Sequence, residues 1–267
     1  MSEERETGLR HWLRIPAPDL RDWVTGIHGV AEAGRRLRGY VEPASLTAPL
    51  ILNFGSPYRI ALGHAPGDVD QWTSFAAGLF AGPVVMDSDG APRCIQVDFT
   101  PLGARRFFRR PMNALANRLA CISDLEDREI LELAAGVAEA GSWDARLDLT
   151  ESFVRARLTE PGPIDAEISW AYGRLRRARG DLRTGWLADQ LGWSRAKLLR
   201  RFERECGLAP KAVARILRFN AALAMSKARK AAWADVAVAC GYADQAHLTR
   251  EFVEFAGSPP ETWRRGA

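Results

Sequence analysis

The chain has 267 residues, 37 Lys and Arg against 33 Asp and Glu, and a formal net charge of +4. With 47% of residues hydrophobic, it can build ordinary cores, and no apolar run reaches the roughly 18 residues of a membrane span, so one or two globular domains remain. The charge is uneven: residues 161–267 hold 19 Lys and Arg against 11 Asp and Glu, a net of +8, which leaves −4 on residues 1–160. Read alone, that asymmetry fits a polyanion-binding C-terminal part or a solvated surface without a partner. The start, Met1-Ser-Glu-Glu-Arg-Glu, is charged and lacks the apolar stretch of a signal peptide. Cys94, Cys121, Cys206 and Cys240 show no CxxC spacing and read as reduced, packed cysteines of a cytoplasmic protein.

In chain order, segments 30–33 and 37–41 read as strands, as do 50–54 and 58–62, joined by the short turn Gly55-Ser-Pro57. Part of 77–86 follows, and then 93–99, where Ile95, Val97 and Phe99 share one face of a half-buried strand. From Pro111 the texture turns helical over 112–119, 127–140 and 145–158. This divides the first part into a β-rich barrel or sandwich over 1–123 and connecting helices over 124–160. Pro161-Gly-Pro163 breaks the chain, because two prolines flanking a glycine cannot continue a helix. Beyond it, Ile164, Ile168, Ala171 and Leu175 follow helical spacing. Helices follow at 184–191, at 195–205 behind the N-cap Ser194, at 210–228 opening on Pro210, and at 233–240. The last two are 245–255 behind the N-cap Asp244 and a final turn at 260–265. The expected fold class is therefore α+β: the β-rich unit, its connecting helices, and an all-α domain of seven helices over 161–267.

That domain contains one pattern twice. Leu187-Ala-Asp-Gln-Leu-Gly-Trp-Ser-Arg-Ala-Lys-Leu-Leu-Arg-Arg-Phe202 closes with Gly207 and Pro210. Val236-Ala-Val-Ala-Cys-Gly-Tyr-Ala-Asp-Gln-Ala-His-Leu-Thr-Arg-Glu-Phe252 closes with Gly257 and Pro260. Gly192 and Gly241 are 49 residues apart and Phe202 and Phe252 are 50 apart, so the second turn holds one extra residue. Two helices joined by a short Gly-containing turn form the helix-turn-helix, whose second helix enters the DNA major groove. On the first such helix Leu198 and Phe202 define the core face, which turns Ala196, Leu199 and Arg200 toward base edges. Arg200 suits guanine O6 and N7, and Ala196 or Leu199 a thymine methyl. On the second, Leu248 and Phe252 face inward, leaving Gln245, Ala246 and Arg250 for bases. His247 is assigned to phosphate or sugar, and Arg195, Lys197, Lys211 and Arg264 to backbone contacts that position without specifying sequence.

These residues resemble the AraC/XylS family of bacterial transcription regulators: the turns Gly192-Trp193 and Gly241-Tyr242, the run Leu198…Phe202…Gly207…Pro210, and the second repeat through Gly257-Ser-Pro-Pro260. The resemblance spans about residues 164–265. It implies a seven-helix domain whose two recognition helices enter successive major-groove segments on one DNA face. It also implies a sequence-specific regulator of transcription, with double-stranded DNA as partner, RNA polymerase as a candidate contact, and a monomer or homodimer as the working state. A β-rich N-terminal unit that senses a small-molecule effector or dimerises fits the same family.

In that unit His11, His28 and His64 are isolated in sequence, so no metal site is expected. Trp12, Trp23, Trp72, Tyr40, Tyr58 and Phe54 line either an apolar ligand pocket or ordinary core. There is no GxSxG, P-loop or strand-borne GxGxxG, and no cysteine follows a proline. Neither catalytic residue nor cofactor is expected. The rival readings are a constitutive regulator whose N-terminal unit only dimerises, and an enzyme or repair protein that uses the repeats for targeting.

Overall fold

The computed structural model describes residues 2–6, 9–34, 36–160, 162, 164–228 and 231–266. The prolines of the 161–163 break fall outside the described residues. The strands are β1 (Ser2–Glu6), β2 (Leu9–Arg14), β3 (Val24–Glu32), β4 (Tyr40–Glu42), β5 (Ala48–Asn53), β6 (Tyr58–Leu62), β7 (Gln71–Trp72), β8 (Phe75–Ala77), β9 (Val84–Asp87), β10 (Arg93–Phe99) and β11 (Leu119–Cys121). They form two antiparallel sheets, ordered β1-β2-β3-β10-β5-β8-β11 and β4-β9-β6-β7.

Period-2 alternation gives the larger sheet two different faces. Ile95, Val97 and Phe99 of β10 and Leu50 and Leu52 of β5 enter the main core. Cys94, Gln96 and Asp98 of β10 and Ile51 of β5 point the other way, toward the smaller sheet. The core side is covered by α1 (Pro101–Phe108), α2 (Arg128–Glu139) and α3 (Trp143–Thr159). Trp143 stacks on Trp12 at 4.1 Å between ring centroids. It sits so close to Gly29 that an added Cβ would lie 2.9 Å from its ring. The helices of segment 124–160 thus form the outer layer of the β unit as well as leading to the C-terminal domain.

Segments 50–54 and 58–62 are the strands expected, and the short turn carries the chain from one sheet to the other: β5 lies between β10 and β8, while β6 belongs to the smaller sheet. Asn53 shapes the crossing between them, accepting from the Gly55 N–H at 2.9 Å and donating to the Ser56 carbonyl at 2.8 Å. One local expectation is corrected. Segment 112–119 holds only a 3-10 turn at Met112–Ala114 before β11. Its backbone presses on Gly78, where a Cβ would approach the Leu115 carbonyl to 2.0 Å, and Asn117 adopts φ 57°. A continued helix would abandon both contacts and the pairing of β11 with β8. Helix α1, finally, was not foreseen, although Thr100 caps it by accepting from the Gly103 N–H at 3.1 Å and Pro101 suits its first turn.

The C-terminal part has the seven expected helices: α4 (Ala166–Arg177), α5 (Thr184–Gln190), α6 (Arg195–Cys206), α7 (Pro210–Ala228), α8 (Trp233–Ala239), α9 (Gln245–Ala256) and α10 (Pro260–Gly266). The two turns share one construction. Trp193 N–H donates to Ala188 O and Tyr242 N–H to Ala237 O, each at 2.9 Å. Gly192 and Gly241 supply φ 62° and 74°, left-handed conformations that a side chain would strain. Ser194 and Asp244 cap α6 and α9 by accepting from the N–H of Lys197 and His247. Leu198, Phe202, Leu248 and Phe252 are buried as their spacing predicts.

The N-terminal unit touches the C-terminal end of both second helices. Arg105 of α1 meets Glu205 of α6 at 3.1 Å, with both side chains almost wholly buried. The Ala44 N–H, just after β4, donates to the Phe255 carbonyl of α9 at 2.8 Å, and Gly257 packs near Val41 and Pro83.

Candidate nucleic-acid interface and ligand cavity

On α6 the side chains of Arg195, Ala196, Leu199 and Arg200 are exposed, and Lys197 is half-buried with its ammonium 4.2 Å above the Trp193 ring. On α9, Gln245, Ala246 and Arg250 are exposed. Among the described residues none pairs with Arg200, Arg250 or the exposed Lys211, so their donors face solvent. His247 is half-buried, 3.5 Å from Glu251 and edge-on to Tyr242. Arg264 is also half-buried; it donates to the Ala231 carbonyl at 3.0 Å and lies 4.0 Å over Trp233, so most of its surface is engaged within the domain.

Sequence reasoning missed what fixes α9 to the bridging helix α7. Glu251 is buried and accepts from Arg215 at 2.9 Å and Arg218 at 2.8 Å, both on α7. Arg218 lies 4.8 Å over Tyr242. Burial works against the Glu251 charge, but the two guanidiniums outweigh it and hold the carboxyl below its ordinary 4.5. A carboxyl depressed in the fold adds stability above its unfolded pKa and loses it as pH falls through the folded one. Glu251→Gln is therefore expected to cost about 1.5–3 kcal/mol at neutral pH, with the gap from the parent closing in acid. Denaturant unfolding at pH 7 and about pH 3.5 checks this; a gap that stays constant would remove the assigned charge.

Between the two sheets lies a cavity of about 480 Å³, within the size range of small-molecule sites. Its apolar lining includes Ile51, Tyr58, Ile60, Phe75, Val84 and Met86. Of the aromatic residues proposed from sequence, Tyr40 and Tyr58 line it. Trp12, Trp23 and Phe54 lie instead on the helix-covered side, and Trp72 packs edge-on against Phe75. The charged residues at the wall are Glu32, Glu42 and Asp98. Glu32 accepts from the Ser88 hydroxyl, and Asp98 accepts from Gln96 at 2.8 Å and faces His28 at 3.2 Å. Burial pushes the carboxyls of Glu32 and Glu42 up, and Asp98 adds to the effect on Glu42.

The histidines are less isolated than their spacing implies: adjacent strands bring His11 Nε2 to 3.0 Å from His28 Nδ1, and the rings stack. Among the described residues no group of three His, Cys, Asp or Glu is placed to hold a metal ion. Nor does any described helix have the length and apolarity to cross a membrane.

Two like-built helix-turn-helix units on one bridging helix, each turning a polar face of its second helix outward, have the form of a DNA-binding domain. Residues 187–266 match the family described as a helix-turn-helix domain. That domain is of the AraC type. No curated protein matches the chain. Among solved structures it is similar to ToxT from Vibrio cholerae, at 8% identity over 97% of this chain and 98% of that one, with a TM-score of 0.48. The unsaturated fatty acid-bound wild-type ToxT from Vibrio cholerae gives 10% identity, 98% and 97% coverage and a TM-score of 0.46. The xylose-binding transcription activator XylR gives 16% identity over 47% of this chain and 39% of that one, with a TM-score of 0.33.

Proposed function

We propose that the protein is a DNA-binding transcription regulator that reads a two-part DNA element with α6 and α9, under control of a small molecule held between its sheets. The observation that carries the control is the rim of the cavity. Tyr40, Glu42, Pro43 and Ala44 line it, and the Ala44 N–H is bonded to the end of α9. A ligand that displaces the rim changes a contact of a recognition helix directly. The working division is a sensing unit over 1–123, its covering helices over 124–160 and a reading domain over 161–267, with no catalytic step and no cofactor. One monomer presents both recognition helices, so a single copy suffices for the element. RNA polymerase is the partner on which the bound regulator acts, by contact or by occlusion.

Base reading is assigned to Ala196, Leu199 and Arg200 on α6 and to Gln245, Ala246 and Arg250 on α9. Arg195, Lys197, Lys211 and His247 hold phosphates, with Arg264 at the margin because its guanidinium is already engaged. Arg200→Ala or Arg250→Ala should cost about 1–3 kcal/mol on the target and relax specificity at one position. Lys211→Ala should weaken target and random duplex alike and flatten the salt dependence. Electrophoretic mobility shifts on a target and a scrambled duplex at two salt concentrations separate the two behaviours. Equal losses on both duplexes for the arginine variants would reduce them to phosphate contacts.

A further inference from the structure

The wall of the cavity is one-signed. Among the described residues that line it, Glu32, Glu42 and Asp98 carry charge, and none of the liners is Lys, Arg or His. Three nearby arginines are tied to other carboxylates: Arg38 and Arg59 to Asp87, and Arg14 to Asp148 and Glu151. Glu32 has the Ser88 hydroxyl, and Asp98 has Gln96 and His28. The Glu42 side chain has neither a hydrogen bond nor an ion pair with any described residue. It lines the void and keeps accessible surface there. A carboxylate so placed faces the void without a counter-charge, which a cation entering the void would supply. Burial and the neighbouring Asp98 push its carboxyl up, as an uncompensated charge should. The rings of Tyr58, Phe75 and Phe80 in the same lining add faces that attract positive charge.

We propose that the cavity takes an organic cation, an apolar body bearing a protonated amine or quaternary ammonium, with the positive group against Glu42 and Asp98. This rests on the reading of the cavity as the effector site and adds the chemical class. The sign follows from the wall. An anionic ligand would meet three carboxylates without a fixed positive partner in the lining. A neutral one would fill the void but leave Glu42 as it is.

Three probes of matched shape test this on the full-length protein by titration calorimetry: 4-phenylbutylamine, 4-phenylbutanol and 4-phenylbutyrate. The amine should bind about tenfold or more tightly than the alcohol, and the carboxylate more weakly than the alcohol. Glu42→Gln should remove most of the amine's advantage and leave the alcohol unchanged, and Glu42→Lys should turn the preference toward phenylbutyrate. The ranking on the unmodified protein decides the matter even if a variant fails to fold. Binding of the alcohol or the carboxylate as tight as that of the amine overturns the cationic assignment and leaves the effector site standing. Absence of binding by all three at millimolar concentration overturns both.

Discussion

Glu205→Ala is expected to lower the unfolding free energy by about 3–5 kcal/mol, the largest single-residue effect foreseen here. Glu205 lies on α6 and Arg105 on α1, so their 3.1 Å contact joins the DNA-reading domain to the sensing unit. Both side chains are almost wholly removed from water, and deleting the carboxylate leaves the Arg105 guanidinium buried without compensation. Arg105→Ala should be similarly harmful from the other side. The double variant Arg105→Met/Glu205→Met removes both charges while retaining bulk, and it should recover most of the loss. Urea unfolding of the parent, Arg105→Met, Glu205→Met and the double variant gives the cycle directly. A double variant no better than the sum of the singles would show that packing, and not charge, makes the joint.

Inserting about five base pairs, half a helical turn, between the two halves of the bound element should abolish simultaneous reading. The 19 residues of α7 span about 28 Å at 1.5 Å per residue. One rigid connection of that length places the recognition helices about one turn of duplex apart, on the same face. Rotating one half to the far side leaves a single helix-turn-helix engaged, and the affinity should fall by about two orders of magnitude or more. Inserting a full turn of roughly ten base pairs restores the face but not the distance, and should recover little. Footprinting and affinity measurements on the three duplexes check this. Undiminished affinity after the half-turn insertion would mean that only one of the two motifs reads DNA.

How much of this was legible in the sequence depended on whether the determining contacts were local. The C-terminal helices were found because caps, turn glycines and the Leu198–Phe202 and Leu248–Phe252 spacings are written within a few residues of one another. Strand β10 was legible for the same reason, through Ile95, Val97 and Phe99. Which sheet β5 and β6 join was not legible, because sheet membership depends on partners far along the chain. Segment 112–119 carried a helical composition that packing against Gly78 and β8 overrode. The aromatic residues gave a weak guide to the cavity, since an aromatic side chain suits a core as well as a pocket. Glu32, Gln96 and Asp98 gave no signal either, because polar residues opposite Ile95 and Val97 read as the solvent face of a half-buried strand until the second sheet is known to cover them. The Arg215–Glu251–Arg218 and Arg105–Glu205 pairs were illegible, because a charged residue on a helix reads as solvated until its neighbour is known.

The sensing unit grips the far ends of α6 and α9 at two separate points, Arg105 with Glu205 and Ala44 with Phe255. Under the proposed function it acts as a caliper laid across the reading heads. The rim of the cavity is one of its jaws. Opening that jaw would alter the gap between the heads without touching a base-contacting side chain. Occupancy of the cavity would then select among sites by the length of their spacer, leaving the preferred bases in each half unchanged.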